Sequence, residues 1–292
     1  MVNPKAKPVR HKVPMRVERR NLLFAAPMAC FAVLLVALPL IYVLGTSLSV
    51  EGRGFGAALT LNHYKSLLRA DYLLVFVESL ELAALTTLIS LLIGYPFAYC
   101  MARTGRKWRT VLMLLVIVPF WTSALVRIYG LKILLQANGP VSALLRALGL
   151  IEKNLRFLGS YGSVLLAMVY CQISMMILPC YSSVDKMDFT LVEAARDLGA
   201  PPWRAFLTVT LPQTLPGILA GCVLVFVPSV GLFYLADIMG GGLMLVGTLI
   251  KNQLLSVRDW NTGSAMAMVL IAITAGIYLL YRRSGGDDLG VL

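Results

Sequence analysis

Histidine is almost missing from this chain: His11 and His63 are the only two among 292 residues. The five cysteines, Cys30, Cys100, Cys171, Cys180 and Cys222, all fall in apolar stretches, and no two form a C-x-x-C pair. A zinc or redox centre built from Cys and His therefore has no ligand set, and the cysteines read as small buried apolar residues. No Gly-Lys dipeptide occurs, which excludes the G-x-x-x-x-G-K-[ST] loop that cradles nucleotide phosphates. Charge is scarce too: 14% of residues are charged, against about 25% in soluble domains.

What fills the space is apolar. Hydrophobic residues make up 59% of the chain and the mean hydropathy is +0.80. Six apolar runs are each long enough to cross a bilayer, which takes roughly 20 residues. They cover Leu22 to Leu48 (the first transmembrane segment, within 22–49), Leu73 to Ala102, Val111 to Leu131, Gly162 to Val184, Phe206 to Ala236 and Ala265 to Tyr281. The expected fold is an all-α integral membrane bundle of six transmembrane helices, with a basic cytoplasmic tail at 1–21, a helical core over 73–283 and a short tail at 284–292. The first run is too long for the h-region of a secretory signal and is kept as a retained span.

The net charge of +12 would suggest nucleic acid in a soluble protein. In a membrane protein basic residues gather in cytoplasmic loops, so the surplus reports topology, with no nucleic-acid partner implied. With both termini cytoplasmic, 16 of the 26 basic residues fall on the inner side, including Arg103, Arg106, Lys107, Arg109, Lys186, Arg196 and Arg204. Pro96, Pro119, Pro179 and Pro228 lie inside spans, where each removes a backbone donor and tends to kink the helix. A kinked bundle leaves room for a pathway, although proline is also simply tolerated in membrane helices.

The most informative stretch lies in the inner loop at 185–205, between the fourth and fifth spans. Thr190 and Glu193 have capping-box spacing and are expected to start a helix. Gly199 can take the left-handed conformation that ends it, and Pro201 or Pro202 suits the first turn of a second helix. Two short helices meeting at a tight corner result. Leu191, Ala194, Ala195 and Leu198 share one face of the first helix, while Glu193, Arg196 and Asp197 spread over the rest. Such a face either packs on a protein partner or lies on lipid headgroups, and helical periodicity does not separate the two.

The run Glu193, Ala194, Ala195, then Gly199, then Leu211 and Pro212, resembles the EAA loop of binding-protein-dependent ABC importer permeases. In that family the loop docks into a cleft of the ATPase subunit, which implies coupling roles for Glu193, Ala194, Ala195, Arg196, Asp197, Leu198 and Gly199. Glu193 could then serve as cap, as docking contact, or as both. Pro119 to Ser123, Arg127 to Gly130, Gly231 to Tyr234, Asp237, Gly240, Gly241 and Arg258 to Trp260 are similar to the B-type permease subunits of spermidine/putrescine importers. The likeness covers roughly 60–280. It implies the MetI-like type I importer fold in a bacterial inner membrane and a second homologous permease subunit forming a heterodimer. Two ATPase subunits that carry ATP and Mg2+, and a soluble substrate-binding protein, complete the expected set of partners. This chain itself is then not an enzyme and holds no cofactor.

A polycation cannot cross lipid unaided, since one charge at the bilayer centre costs about 2.5 to 3.5 kcal/mol on insertion scales. Carboxylates and aromatic faces make a favourable lining. Candidates near the outer ends of the spans are Asp237, Trp121, Phe233 and Tyr234, with Glu78 and Glu81 at i, i+3 in the second span. Asp237 has the alternative of a solvated loop acid. Glu78 and Glu81 could face outside water or pair with Arg127, and Trp121 and Tyr234 could be interface-belt aromatics. Leu243 to Ser256 reads as a short helix entering the bilayer from outside or lying on its surface. An ion-coupled secondary transporter would also explain spans and buried acids, but would need no EAA-like corner.

Overall fold

A computed structural model describes residues 15–50, 59–149 and 157–283. In chain order the helices are α1 (Met15–Leu48), α2 (Asn62–Leu67), α3 (Ala70–Arg103), α4 (Arg106–Trp121), α5 (Ala124–Leu135), α6 (Pro140–Ala147) and α7 (Tyr161–Asp185). There follow α8 (Thr190–Asp197), α9 (Pro202–Ala205), α10 (Leu211–Gly231), α11 (Phe233–Met239), α12 (Val246–Asn252) and α13 (Trp260–Arg283). A π-helical turn at Phe206–Thr210 joins α9 to α10, and a second at Gln253–Val257 extends α12. Beyond helix, the described residues hold one isolated antiparallel bridge between Ser49 and Leu59. The helix α1 begins inside the stretch read as a tail, while residues 1–14 and 284–292 lie outside those described.

Five helical stretches are long and apolar enough to cross a membrane, and a sixth crossing is reached when α4 and the segment from Ala124 to Ala147 count as one. That sixth crossing corrects the reading of Val111 to Leu131 as one helix: the chain bends there by 100°. Pro119 sits in the last turn of α4, and Thr122 follows in extended conformation, its backbone N–H closing the turn on the Pro119 carbonyl at 3.3 Å. The fifth run is likewise divided: α10 stops at Gly231, and α11 starts after Leu232 rather than continuing to Ala236.

Helices α3, α7 and α10 form the centre, and small residues let them approach. A Cβ on Gly217 would fall 2.6 Å from the Pro179 carbonyl, and one on Gly221 would fall 2.7 Å from the Met176 sulfur. In lipid, where lipid tails are as apolar as the side chains, such close backbone contact is what drives helices together. Buried Met176, Ile177, Cys180, Val184, Ile218 and Val225 fill this centre. A second core towards the far end contains Leu82, Ile128, Met168, Leu235 and Met239. Helix α1 packs on α13 and leaves Val33, Val36 and Leu38 more than half exposed, as a lipid-facing surface requires.

At its C-terminal end α1 is fastened by polar contacts. The Asn261 amide donates to the carbonyls of Thr46 (2.9 Å) and Ser49 (3.0 Å), and the Thr46 hydroxyl donates to Ser264 (2.9 Å). Asp259 caps α13 by accepting from the Thr262 backbone N–H at 3.0 Å.

Candidate functional site

Two regions stand at opposite ends of α10, whose 21 residues put them about 30 Å apart. The first is the corner formed by α8 and α9. Its start is not the expected capping box. Asp188, two residues earlier, accepts from both the Thr190 backbone N–H (3.0 Å) and its hydroxyl (2.7 Å). The Thr190 side chain is thereby used up, and Glu193 is left without a partner among the described residues. Those Thr190 hydrogen bonds hold the Asp188 carboxyl below the usual carboxylate range.

The end of α8 follows the sequence reading. Gly199 has φ +87°, its N–H donates to the Arg196 carbonyl (2.9 Å), and the Ala200 N–H reaches the Ala195 carbonyl (3.1 Å). This is the paired-bond Schellman ending, which requires a left-handed residue at that position. Pro201 is extended and Pro202 opens α9. No residue of α8 is buried: Leu191 is 49% exposed and Leu198, just beyond, 89% exposed. Ala194, Glu193, Arg196 and Asp197 are exposed as well, and Ala195 is half-buried. Two leucines are thus uncovered, and Glu193, Arg196 and Asp197 form no ion pair among the described residues, which leaves the face open.

The second region lies where α10, α11 and α12 meet. Gly247 touches the Gly231 carbonyl so closely that a Cβ there would stand 2.8 Å from it and 2.9 Å from the Phe233 Cβ. This absence of a side chain draws α12 onto α11. One turn later Lys251 reaches back, pairs with the Asp237 carboxylate and lies 5.7 Å from the centre of the Phe233 ring. Tyr234 stands edge-on to Phe233 at 6.1 Å. The Val246 N–H donates to Ser79 on α3 at 2.9 Å, so the start of α12 is anchored to the helix that carries Glu78 and Glu81.

The structure thus brings Asp237, Phe233 and Tyr234 together and adds Lys251, which sequence reasoning passed over. A lone cation one turn after a glycine in an apolar stretch was the available signal. Glu78 and Glu81 border this cluster; both are exposed and act electrostatically on Tyr161, but neither forms an ion pair among the described residues. The pairing with Arg127 considered for them is not formed, and the Arg127 Nε is buried without a hydrogen-bond partner among the described residues. Trp121 stands apart, 80% exposed at the bent end of α4, a helix that packs on α3 and α7. The stretch from Leu243 is helical from Val246, with Val246, Gly247 and Thr248 buried, which favours entry into the bundle over a surface position.

Asp237 and Lys251 are each 31% exposed. An ion pair so open to water is worth about 0 to 1 kcal/mol, so the carboxylate can exchange its partner readily. The chemistry on display is recognition of an ammonium group by one carboxylate and one aromatic face.

A bundle of membrane-crossing helices with a two-helix corner left uncovered at one end defines a multi-pass membrane component. The chain belongs to the family of binding-protein-dependent transport system inner membrane components, which residues 90–283 match. It is 42% identical over 255 residues to the spermidine/putrescine transport system permease protein PotB of Escherichia coli, covering 86% of this chain and 93% of that protein. The PotB of Haemophilus influenzae is 41% identical over 252 residues, covering 85% and 88%. Among solved structures, a bacterial ABC transporter involved in alginate import matches with a TM-score of 0.69 at 18% identity, over 92% of this chain and 98% of that one. The MetNI methionine ABC transporter matches with a TM-score of 0.52 at 16% identity, over 74% and 97%. Those two likenesses establish a shared fold, that of ABC importer permeases.

Proposed function

We propose that this chain is the permease subunit of a polyamine importer driven by ATP, and that it moves spermidine or putrescine inward by alternating access. The observation that carries the substrate class is the α11–α12 cluster, where an ammonium of the chain itself rests on Asp237 and over Phe233. An alkylammonium of a polyamine has the same charge and hydrogen-bonding capacity as the Lys251 head group. It would take the carboxylate by displacing Lys251, with Tyr234 beside it. Glu78 and Glu81 would raise the local concentration of cations at the entrance, and Trp121 would serve at the interface belt more than in the pathway. The 42% identity to PotB over 86% of the chain supports the same class.

In this reading both termini are cytoplasmic and the α8–α9 corner faces the cytoplasm. A second homologous permease subunit completes the pathway as a heterodimer. Two ATPase subunits bind ATP and Mg2+, and a soluble binding protein delivers the substrate. The uncovered residues Glu193, Ala194, Ala195, Arg196, Asp197, Leu198 and Gly199 dock on an ATPase subunit, so that closure of the ATPase pair is felt by the bundle. Glu193, with no partner among the described residues, serves there as a docking contact.

The test is reconstitution of the four components in liposomes, with uptake of labelled spermidine, putrescine and an amino acid control. ATP-dependent accumulation of the polyamines alone is the expected result. Accumulation of the amino acid instead would overturn the substrate assignment, and nucleotide-independent transport by this chain alone would overturn the importer reading.

A further inference from the structure

The corner has few contacts of its own, yet both of its ends are pinned to one helix. At the leading end Phe189, the residue before α8, stands edge-on to Tyr99 of α3 at 6.3 Å between ring centres. The Arg103 guanidinium covers both rings, 5.8 Å from Tyr99 and 5.9 Å from Phe189. At the trailing end Phe206, the residue after α9, stands edge-on to Tyr95 at 6.0 Å. The Tyr95 hydroxyl in turn shares a 2.9 Å hydrogen bond with the Thr214 hydroxyl on α10. Tyr95 and Tyr99 are four residues apart, hence on one face of α3 and one turn from each other.

Pro96 lies between them and deprives α3 of a backbone bond in that turn. A helix with a weakened turn could pivot there if it were held on one side only. Attachment on both sides of the proline removes that freedom. Twenty residues beyond Tyr99, about 30 Å along the same helix, Ser79 accepts the Val246 N–H that anchors α12 and its Lys251.

We propose that Tyr95 and Tyr99 are the positioning residues that receive motion from the corner, and that α3 carries it as one body to the α12 end of the ammonium cluster. The inference rests on the reading of the corner as the ATPase contact. In it, Phe189 and Phe206 act as two pegs, and Arg103 clamps the leading peg. Edge-on aromatic pairs and cation–π contacts are directional, so a displaced corner drags α3 instead of sliding over it.

The test uses the assembled importer in liposomes and reads ATP hydrolysed per substrate taken up. Tyr99→Ala and Phe189→Ala are each expected to leave binding-protein-stimulated hydrolysis in place while uptake falls about 3- to 10-fold, the size of one or two such contacts. The double variant should be no worse than either single, because the two residues act as one unit. Tyr99→Phe, which keeps the ring, should restore the ratio. Should Tyr99→Ala distort the chain, Phe189→Ala, on the corner side of the pair, gives the same reading. A wild-type ratio in both alanine variants, with the ATPase still co-purifying, would overturn this inference alone. An intact corner with which no ATPase subunit co-purifies would overturn it together with the reading beneath it.

Discussion

Gly199 allows the corner's shape and its docking to be tested separately. Its φ of +87° is one that L side chains adopt at a cost, and no heavy atom of the described residues lies within 4 Å of where a Cβ would stand. Size is therefore irrelevant within the chain, and backbone strain is the whole intrachain effect. For alanine that strain is about 1 to 2 kcal/mol, whereas asparagine enters the left-handed region at lower cost. Along α8 itself no residue is buried, so packing does little to hold the Gly199 end in shape. The strain should pass almost undiminished into the population of bent corner, roughly a tenfold loss for Gly199→Ala. Uptake by the reconstituted importer, normalised to inserted protein, should fall in the order Asn, Ala, Val. Gly199→Asp matches Asn in shape but adds a charge beside Asp197, so any deficit beyond the Asn variant measures repulsion at the docking surface. If Asn proved as damaging as Val, the position would be limited by space at a partner surface, and the conformational reasoning would fail.

Other substitutions probe the far end and the helix ends. Gly247→Ala would place a methyl 2.8 Å from the Gly231 carbonyl, pushing α12 away at a cost of about 1 to 3 kcal/mol. Displacement of α12 from α11, read as altered accessibility of a Lys251→Cys thiol with and without Gly247→Ala, is the expected sign. Asp237→Asn should lower polyamine uptake about tenfold, equivalent to roughly 1.4 kcal/mol, and leave co-purification of the ATPase unchanged; full uptake would remove the carboxylate from the pathway. Asn261→Ala deletes donors to two carbonyls and should loosen α1 from α13 by about 1 to 3 kcal/mol, seen as a lower unfolding midpoint in detergent.

Protonation of Asp259 gives a pH signature. Burial alone would raise this carboxyl, but the Thr262 hydrogen bonds, His63 and Gln253 outweigh it and hold it below the usual range. A carboxylate depressed in the fold adds stability that is complete above its unfolded value, about 3.9, and is lost as pH falls through the lower folded value. Asp259→Asn should accordingly flatten the acid limb of the unfolding midpoint and leave neutral uptake intact.

Local chemistry makes the corner legible in the amino-acid sequence. A glycine between an amphipathic turn and a Pro-Pro pair has few conformations open to it, and Gly199 and Pro202 take the ones expected. The start of α8 departs from the capping box because two side chains compete there. Asp188 reaches the Thr190 N–H from two residues away, leaving no role for the threonine as cap. Hydropathy placed the third crossing but not its bend, since Thr122 and Ser123 interrupt hydrogen bonding without interrupting apolar character. Asp237 was identifiable as an acid at the edge of a span. Its partner was not, because Lys251 meets it only through the close approach of α12 onto α11 at Gly247, which depends on how the chain turns over 240–245.

The docking of the corner is tested most directly at Leu198, which is 89% exposed and touches little of its own chain. A Leu198→Cys variant, with exposed Cys30 and Cys100 replaced by serine, would be treated with a membrane-impermeant maleimide in inverted vesicles, with and without the ATPase subunits. Rapid labelling of the chain alone, and protection once the ATPase is bound, is the expected result. Labelling only from the opposite side of the membrane, or at a rate the ATPase leaves unchanged, would contradict it.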